Sequence, residues 1–252
     1  MTAKTTLLLL HGFPFGPSMW DPQASRFQND RRVIAPDLRL EGELGADGLP
    51  EPATMRRMAE TALSALDRAG VEQCIPVGFS MGGYVALALH ELAPDRIAGF
   101  VMACSRATAD TDEAKAGRRS LAEQVMQQGA KAASDAMIEK LLAPASIRER
   151  PELVERVRAL IHEATPRAIA SAALGMGVRP DMTARLEHIR VPVFVIAGED
   201  DAITTPEAAR SMAALLPDAS VAVVPGAGHL ANLENAEQFN RELADWLTAK
   251  GL

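Results

Sequence analysis

The 252-residue sequence has few aromatic residues, few cysteines and no long apolar run. Because only 4% of its residues are aromatic, the core must be mainly aliphatic. Two cysteines, Cys74 and Cys104, are too few for the disulfide framework of a small secreted protein, so we expect buried, reduced thiols. The apolar run before His11 is too short for a signal-peptide core, and no run reaches the roughly 18 residues of a membrane span. These absences favour a soluble, cytoplasmic protein without membrane contact.

The sequence also lacks an excess of positive charge. Its 33 acidic residues outnumber the 26 basic residues and give a net charge of −7, which argues against binding to nucleic acid. No basic tail is present that could anchor the chain to a charged surface. Neither a His-x-x-x-His nor a Cys-x-x-Cys spacing occurs, so we expect no metal ion and no other cofactor.

The remaining composition, 48% hydrophobic and 23% charged, is typical of one packed domain or one domain with an insertion. Short apolar runs alternate with longer amphipathic stretches, as expected for a mostly parallel, doubly wound sheet with helices on both faces. Pro76 conflicts with its place in a central strand because proline lacks the N–H that a sheet ladder needs. We predict strands at residues 5–10, 32–35, 73–79, 98–103, 191–197 and 220–224.

Residues that start or stop helices separate these runs. Gly70 closes a stretch in which apolar residues recur at three- and four-residue spacing from Met55. Thr205 is a suitable cap for a helix that begins at Pro206. We predict helices at 55–69, from near 81 to before Pro94, from 206 onward and at 234–249.

One segment departs from this alternation. Between residues 106 and 190 the pattern is helical and no convincing strand is present. A helical stretch of this length between two strands of one sheet suggests a lid, residues 106–190, inserted into a core formed by residues 1–105 and 191–252. The lid contains no aromatic residue, so we expect it to present an aliphatic wall. Its helices are expected to break near Gly129, Pro144, Pro151, Pro166 and Pro180.

The pentapeptide Gly78-Phe79-Ser80-Met81-Gly82 has the pattern G-x-S-x-G. It follows a predicted strand and opens a predicted helix, and a sharp turn of this kind presents the serine hydroxyl above the edge of the sheet. The N-terminus of the helix then directs free N–H groups at the reacting centre. We therefore interpret Ser80 as a nucleophile.

A serine hydroxyl needs a base that removes its proton during attack. His229 lies in a glycine-rich loop after the last predicted strand, and parallel strands end at the same edge of a sheet, where Ser80 also lies. We predict His229 as the general base. His90, His162 and His188 lie on a helix, in the lid and before a strand, where structural functions are more common.

The base needs an acid that fixes its tautomer and stabilises the imidazolium. Glu199, Asp200 and Asp201 follow the strand predicted at 191–197 and so reach the same edge of the sheet. Asp37 also follows a strand, but its neighbour Arg39 favours a structural turn. The residues alone leave the choice between Asp200 and Asp201 open.

Acyl transfer passes through a tetrahedral oxyanion that backbone N–H groups can bind. The N–H of Met81, directly after Ser80, is one expected donor. The loop His11-Gly12-Phe13-Pro14 follows the first strand and supplies the other donor, the N–H of Phe13.

These motifs, in this order, resemble the α/β-hydrolase superfamily over nearly the whole chain. The resemblance implies an α/β-hydrolase fold, and it implies Asp201 as the acid because this is the third residue after the strand-ending Gly198. It also implies Phe13 and Met81 as oxyanion donors. The family usually has two antiparallel strands before the first strand found here, so we expect a shorter sheet of about six strands. The sequence Arg39-Leu40-Glu41-Gly42 also departs from the glycine-rich turn of the family.

The resemblance is greatest to short esterases, enol-lactonases and cofactor-free haloperoxidases or perhydrolases. The favoured hypothesis is a carboxylesterase that forms an acyl-enzyme with a small-molecule ester of small to medium acyl chain. The alternative is an enol-lactonase of the 3-oxoadipate type, and a haloperoxidase-like enzyme or a non-catalytic receptor is less favoured. The sequence leaves the oligomeric state open. A lactone substrate with a carboxylate needs a cation near Ser80, for which the candidates are Arg118, Arg119, Arg167 and Arg179.

Overall fold

A computed structural model describes residues 4–252 and contains a sheet of six parallel strands in the order β2-β1-β3-β4-β5-β6. The predicted fold class and the short sheet are confirmed. Every predicted strand is present, with ends that differ by at most two residues. The strands are β1 Thr6–Leu10, β2 Val33–Ile34, β3 Cys74–Phe79, β4 Phe100–Ala103, β5 Val193–Gly198 and β6 Ala219–Val224.

The burial of the strands explains their sequences. All residues of β1, β3, β4 and β5 are buried, and helices cover both faces of these strands. Continuous aliphatic runs are the expected sequence for such strands. The edge strand β6 is only partly buried and includes an exposed valine, Val221.

Pro76 lies in the central strand β3, at a break in its ladder with β4. Cys74 is opposite Ile97, whereas Val77 is opposite Val101, so the β4 side has one extra residue between these two pairs. The C=O of Cys74 points to this side, and backbone groups two residues apart point the same way. The missing N–H of Pro76 therefore faces the irregular part of the ladder, where a proline is tolerated.

Eleven α-helices, α1 to α11, connect and cover these strands within residues 4–252. The predicted helix at 55–69 ends at Arg68, and Gly70 follows with a positive φ of 63°. Thr205 accepts a hydrogen bond from the N–H of Ala208 and caps the helix at Pro206 as predicted. The helices outside residues 106–190 are α1 Asp21–Phe27, α2 Met55–Arg68, α3 Met81–Leu92, α9 Pro206–Ala213, α10 Ala231–Glu234 and α11 Ala236–Ala249.

The prediction of one terminal helix from residue 234 to residue 249 is wrong at its start. The chain forms the short helix α10 and then a separate helix, α11, that begins at Ala236. Asn235 separates the two because its side chain accepts a hydrogen bond from the N–H of Gln238, which caps α11. None of the helices in the described residues is both long enough and apolar enough to cross a membrane.

The segment between β4 and β5 is helical, as its sequence pattern indicates. Its helices break at the glycine and prolines predicted to interrupt them, and the last break precedes a short 3-10 helix at Thr183–His188. Helices α4 and α8 pack against each other along their lengths. The helices of this segment are α4 Asp112–Gln128, α5 Ala130–Leu141, α6 Pro144–Glu149, α7 Pro151–His162 and α8 Pro166–Gly177.

Polar side chains hold this helical segment together and attach it to the rest of the chain. Within the segment, the fully buried Asp110 carboxylate accepts hydrogen bonds from Arg106 (3.1 Å), Arg118 (3.1 Å) and Arg179 (2.9 Å), which connect its first residues and α4 to the residues after α8. In α8, Ser171 Oγ donates to the C=O of Glu51 at 2.5 Å. The attachment therefore depends on individual side chains from distant parts of the sequence.

Candidate active site

Ser80 occupies a strained turn between β3 and α3. Its φ is 49° and its ψ is −110°, a conformation that residues with a side chain rarely adopt. The N–H of Ser80 donates to the C=O of Ala103 in β4 at 2.8 Å. The C=O of Ser80 accepts hydrogen bonds from Ser105 Oγ at 2.7 Å and from the N–H of Gly83 at 2.9 Å. Contacts with the neighbouring strand thus hold the turn in place.

Two glycines allow this turn because no side chain would fit at either position. A Cβ atom on Gly78 would lie 2.5 Å from the C=O oxygen of Gly82. A Cβ atom on Gly82 would lie 2.0 Å from the C=O oxygen of Leu10 at the end of β1. The G-x-S-x-G pattern is therefore required by the close approach of α3 to β1 and β3.

The structure brings Ser80, His229 and Asp201 together. Ser80 Oγ lies 2.9 Å from His229 Nε2, and His229 Nδ1 lies 2.9 Å from Asp201 Oδ2. The imidazole is 3% exposed and the Asp201 carboxylate is fully buried, so water does not compete for their hydrogen bond. The ring of Phe79 packs against the imidazole with a centroid distance of 5.4 Å.

The structure distinguishes the two candidate acids. Asp201 Oδ1 accepts hydrogen bonds from the N–H groups of Ile203 and Thr204, each at 2.8 Å, which leaves Oδ2 for the imidazole. Asp200 is exposed, and its N–H donates to the C=O of Ala227. Asp201, which the family resemblance implied, is therefore the residue that contacts His229.

The other histidines lie in different surroundings. His11 is fully buried, and its Nε2 accepts a hydrogen bond from the N–H of Leu38 at 2.8 Å, which links the loops after β1 and β2. The sequence pattern did not indicate this link. His162 Nε2 contacts Ser134 Oγ in α5, and His188 is exposed.

The predicted oxyanion donors are free to bind a ligand. Within residues 4–252, neither the N–H of Phe13 nor the N–H of Met81 has a hydrogen-bond partner. Both residues line a cavity of about 10 Å³, which α8 covers with residues that include Ile169. A cavity of about this volume holds at most one water molecule.

A larger cavity of about 350 Å³ lies farther along α3. Tyr84, one helical turn after Ser80, and Arg179 line it, and the guanidinium of Arg179 lies 4.1 Å from the centroid of the Tyr84 ring. Neither Ser80 nor His229 lines either cavity. Residues of both α3 and α8 line each of the two cavities.

The four arginines considered as a substrate cation are engaged elsewhere. Arg118 and Arg179 contact Asp110, Arg119 contacts Asp47, and Arg167 Nε donates to the C=O of Gly42. Sequence reasoning overlooked a different cation, Arg39, which lines the small cavity beside Phe13 and Met81. Its position in the loop after β2, at the edge of the sheet that carries Ser80, was the signal that could have identified it.

Cys104 lies beside the hydrogen-bonded residues Ser80, His229 and Asp201, and with the last two it forms a group of possible metal ligands. Its Sγ, a carboxylate oxygen of Asp201 and a ring nitrogen of His229 lie within 4.8 Å of one another. Burial, together with the negative charge of Asp201, raises the pKa of this thiol well above its usual value. A metal ion at this position would have to displace the proton of the thiol.

Comparison with known proteins identifies related sequences. A model of the Alpha/beta hydrolase family matches residues 7–242. The chain is 32% identical over 253 residues to the dihydrolipoyllysine-residue acetyltransferase component of the acetoin cleaving system of Pseudomonas putida, with 96% of the chain covered. The chain spans only 63% of the length of that relative.

Two solved structures have the same fold over nearly all of the chain. A thermophilic esterase from Thermogutta terrifontis superposes with a TM-score of 0.91 at 36% identity, covering 98% of this chain and 90% of that one. An enol-lactonase from Burkholderia xenovorans superposes with a TM-score of 0.86 at 25% identity, covering 97% of this chain and 92% of that one. Both proteins are similar to this chain in fold and in sequence.

Proposed function

Because the chain belongs to the Alpha/beta hydrolase family, we propose that it is a serine hydrolase that cleaves carboxylic esters with small to medium acyl groups. The observation that carries this proposal is the pair of 2.9 Å contacts that joins Ser80 Oγ to His229 and His229 to Asp201. The similarity to the esterase from Thermogutta terrifontis supports it.

In the first half of the reaction, Ser80 Oγ attacks the carbonyl carbon of the ester. His229 Nε2 accepts the hydroxyl proton, because it lies at hydrogen-bond distance from Oγ. The N–H groups of Phe13 and Met81 bind the negative charge that forms on the carbonyl oxygen. Collapse of this intermediate breaks the ester bond, and the imidazolium gives its proton to the departing alcohol.

In the second half, water hydrolyses the acyl-enzyme. His229 takes a proton from the water, hydroxide adds to the acyl carbon, and the same two N–H groups bind the new oxyanion. Ser80 Oγ then leaves and receives the proton from His229. Asp201 accepts a hydrogen bond from His229 Nδ1 throughout, which fixes the tautomer and stabilises the imidazolium.

In this proposal, residues 106–190 act as a lid over the core. Helix α8 covers the small cavity beside Phe13 and Met81, and its wall is formed by Ala168, Ile169 and Ala172. Displacement of α8 by a short distance admits a small aliphatic acyl chain, whereas a larger group requires a larger displacement. The aliphatic wall and the small space favour small to medium acyl groups.

A lactone that carries a carboxylate is the second candidate substrate, and Arg39 favours it. Arg39 lines the small cavity, although its guanidinium contacts Asp37 at 2.5 Å and Glu163 at 3.7 Å, and these two carboxylates offset its charge. A substrate carboxylate near Phe13 would be attracted to this guanidinium. The similarity to the enol-lactonase from Burkholderia xenovorans also supports this alternative.

The central experiment compares Ser80→Ala with Ser64→Ala, a control at an exposed serine of α2. Hydrolysis of p-nitrophenyl acetate and butyrate is expected in the wild type and in the control, and it should be lost in Ser80→Ala. A serine-directed phosphonate should label Ser80 alone. Full ester hydrolysis by Ser80→Ala would contradict the proposal, and turnover of a muconolactone-type substrate in preference to both esters would favour the alternative.

We also propose that the protein acts in the cytoplasm on a small-molecule substrate. Support comes from Cys74 and Cys104, which are both buried and unpaired in the described residues. Reduced thiols of this kind are usual in a reducing compartment.

A further inference from the structure

Glu234 is a buried carboxylate that connects the loop of His229 to the helical segment. It is the last residue of α10 and is 6% exposed. Its Oε1 accepts a hydrogen bond from the N–H of Gly228, the residue before His229, at 2.8 Å. Its Oε2 accepts a hydrogen bond from the N–H of Ala143, between α5 and α6, also at 2.8 Å.

The residue after His229 is bonded to the same part of the helical segment. The N–H of Leu230 donates to the C=O of Leu141 at 3.0 Å. The two chains also approach closely, since a Cβ atom on Gly228 would lie 2.5 Å from the backbone nitrogen of Ala143. Both neighbours of His229 are therefore held at the junction of α5 and α6, one directly and one through Glu234.

Burial of the Glu234 carboxylate disfavours its charged form, and several neighbouring groups compensate for this effect. Burial raises the pKa of the Glu234 carboxyl, whereas hydrogen bonds from Ser146, Ala143 and Gly228 and the charge of Arg150 favour the ionised form. Arg150 Nη1 also donates to the backbone C=O of Glu234 at 2.6 Å. A buried charge with this many partners resists displacement, because moving any one partner leaves the charge less well compensated.

The loop before His229 has little rigidity of its own. Residues 225–228 include two glycines and an alanine, and Gly226 has a positive φ of 63°. A base must stay within a few tenths of an ångström of its hydrogen-bond distance to be effective, and a misplacement of about 1 Å can reduce the rate by about a hundredfold. Contacts from outside the loop must therefore supply the precision.

We propose that Glu234 is a positioning residue that holds His229 against the junction of α5 and α6. This inference rests on the proposed function, in which His229 is the general base. The carboxylate acts through the backbone of Gly228 and touches neither the substrate nor the reacting atoms. The helical segment thus has a second function besides covering the site, because Ala143 contacts Glu234 and Leu141 contacts Leu230, on either side of the base.

The test compares Glu234→Gln with Glu237→Gln, a control at an exposed glutamate in the first turn of α11. Glutamine keeps one acceptor oxygen but places an NH₂ group against a backbone N–H, so one of the two hydrogen bonds is lost. We expect kcat for p-nitrophenyl butyrate to fall by about tenfold to a hundredfold while KM changes little, since the base is displaced and the substrate contacts remain. The control should retain the wild-type kcat.

A second variant removes the same hydrogen bond from the other side. Ala143 has a φ of −58°, which proline adopts, and Leu142 before it is extended, as a residue preceding proline prefers. Ala143→Pro should therefore remove the N–H without straining the backbone of residue 143, and its ring carbon would displace the Glu234 carboxylate, which lies 2.8 Å from this nitrogen. If both changes act through one contact, the double variant should lose little more kcat than either single variant.

Amide hydrogen exchange separates failure of this inference from failure of the proposed function. In the Ser80→Ala background, where turnover plays no part, Glu234→Gln should accelerate exchange at Gly228, Ala143 and Leu230, and Glu237→Gln should not. Unchanged exchange together with an unchanged kcat would overturn the inference. If the wild type hydrolyses neither esters nor lactones, the proposed function fails, and the exchange measurement still decides whether Glu234 holds the loop.

Discussion

The edge of the sheet and the helical segment between β4 and β5 are held together by different kinds of contact. At the edge, backbone groups fix the functional side chains: Ser80 is bonded to Ala103, and Asp201 is bonded to the N–H groups of Ile203 and Thr204. In the helical segment, side chains join residues that are distant in sequence: Asp110 accepts hydrogen bonds from three arginines of the same segment, and Ser171 donates to the C=O of Glu51 in the core. A single substitution can therefore remove one of these side-chain contacts, whereas the backbone of the sheet sets the geometry of the edge.

Substitutions in the two regions should therefore change different properties of the protein. Changes at the edge alter the placement of reacting groups by small distances, so they should appear in kcat. Changes in the helical segment remove buried polar contacts, so they should appear first in the free energy of unfolding. The exception is the junction of α5 and α6, which contacts the loop of His229. A substitution elsewhere in the segment that lowered kcat as much as one at the edge would break this distinction.

The largest effect is expected for Asp201→Asn. The amide keeps the size of the side chain but favours the wrong tautomer of His229, so kcat should fall by about 10⁴-fold with little loss of stability. Measurement of kcat with p-nitrophenyl butyrate tests this, with Asp200→Asn at the exposed neighbour as the control. A large loss in Asp200→Asn instead would show that the acid was assigned to the wrong residue.

The next largest effect is expected for Asp110→Asn, now on stability. Removal of the carboxylate leaves three arginines without their shared partner, and breaking a buried ion pair in this way costs about 3–5 kcal/mol. Urea unfolding should show the loss, and Asp112→Asn, at a carboxylate that is 99% exposed, should not. Equal stability of the two variants would mean that the arginine cluster does not stabilise the helical segment.

The stabilisation that Asp110 provides should also depend on pH. Burial alone would raise the pKa of the Asp110 carboxyl, but the hydrogen bond from Arg179 and the charges of Arg118 and Arg179 outweigh it, so the pKa lies below its ordinary value of 3.8. The stabilisation is therefore complete above pH 3.8 and is lost as the pH falls through the lowered pKa. The difference in unfolding free energy between wild type and Asp110→Asn should shrink over this acid range.

A smaller effect is expected for Ser105→Ala, which removes the side-chain hydrogen bond to the strained turn. Loss of the 2.7 Å contact with the C=O of Ser80 should cost about 1 kcal/mol of stability and lower kcat severalfold. Ser211→Ala, at an exposed serine of α9, is the control. An unchanged kcat would show that backbone contacts alone hold Ser80.

The smallest effect is expected for Thr165→Ala in the helical segment. Thr165 caps α8 through the N–H of Ala168, and its hydroxyl also contacts Glu41 Oε1 at 2.6 Å. The loss of unfolding free energy should be about 1 kcal/mol. Thr111→Ala removes a similar cap from α4 without a contact to the core, so an equal loss in both variants would show that Glu41 adds nothing.

Much of the edge could be predicted from the sequence because its elements are local. Each strand is a continuous apolar run, and Ser80 and His229 follow strands that end on the same side of a parallel sheet. The choice of Asp201 over Asp200 needed the family resemblance, because a loop has no periodicity that fixes which side chain turns toward the histidine.

The features that the sequence did not predict depend on contacts between distant residues. The helix break at Asn235 forms because its side chain caps α11, although the pattern of the surrounding residues fits one continuous helix. Arg39 and Glu234 take their significance from partners on other elements, so no local pattern identifies them. The tolerance of Pro76 depends on the register of the neighbouring strand, which forms only when the sheet assembles.

The contacts of Ser80 have a consequence for folding. Its turn is complete only when Gly82 lies against Leu10 of β1 and Ala103 of β4 accepts its N–H, so three strands must assemble first. Because such non-local contacts form late, a nascent or partly folded chain lacks an activated hydroxyl. In the proposed function, phosphonate labelling of Ser80 during refolding would therefore report that β1, β3 and β4 have assembled.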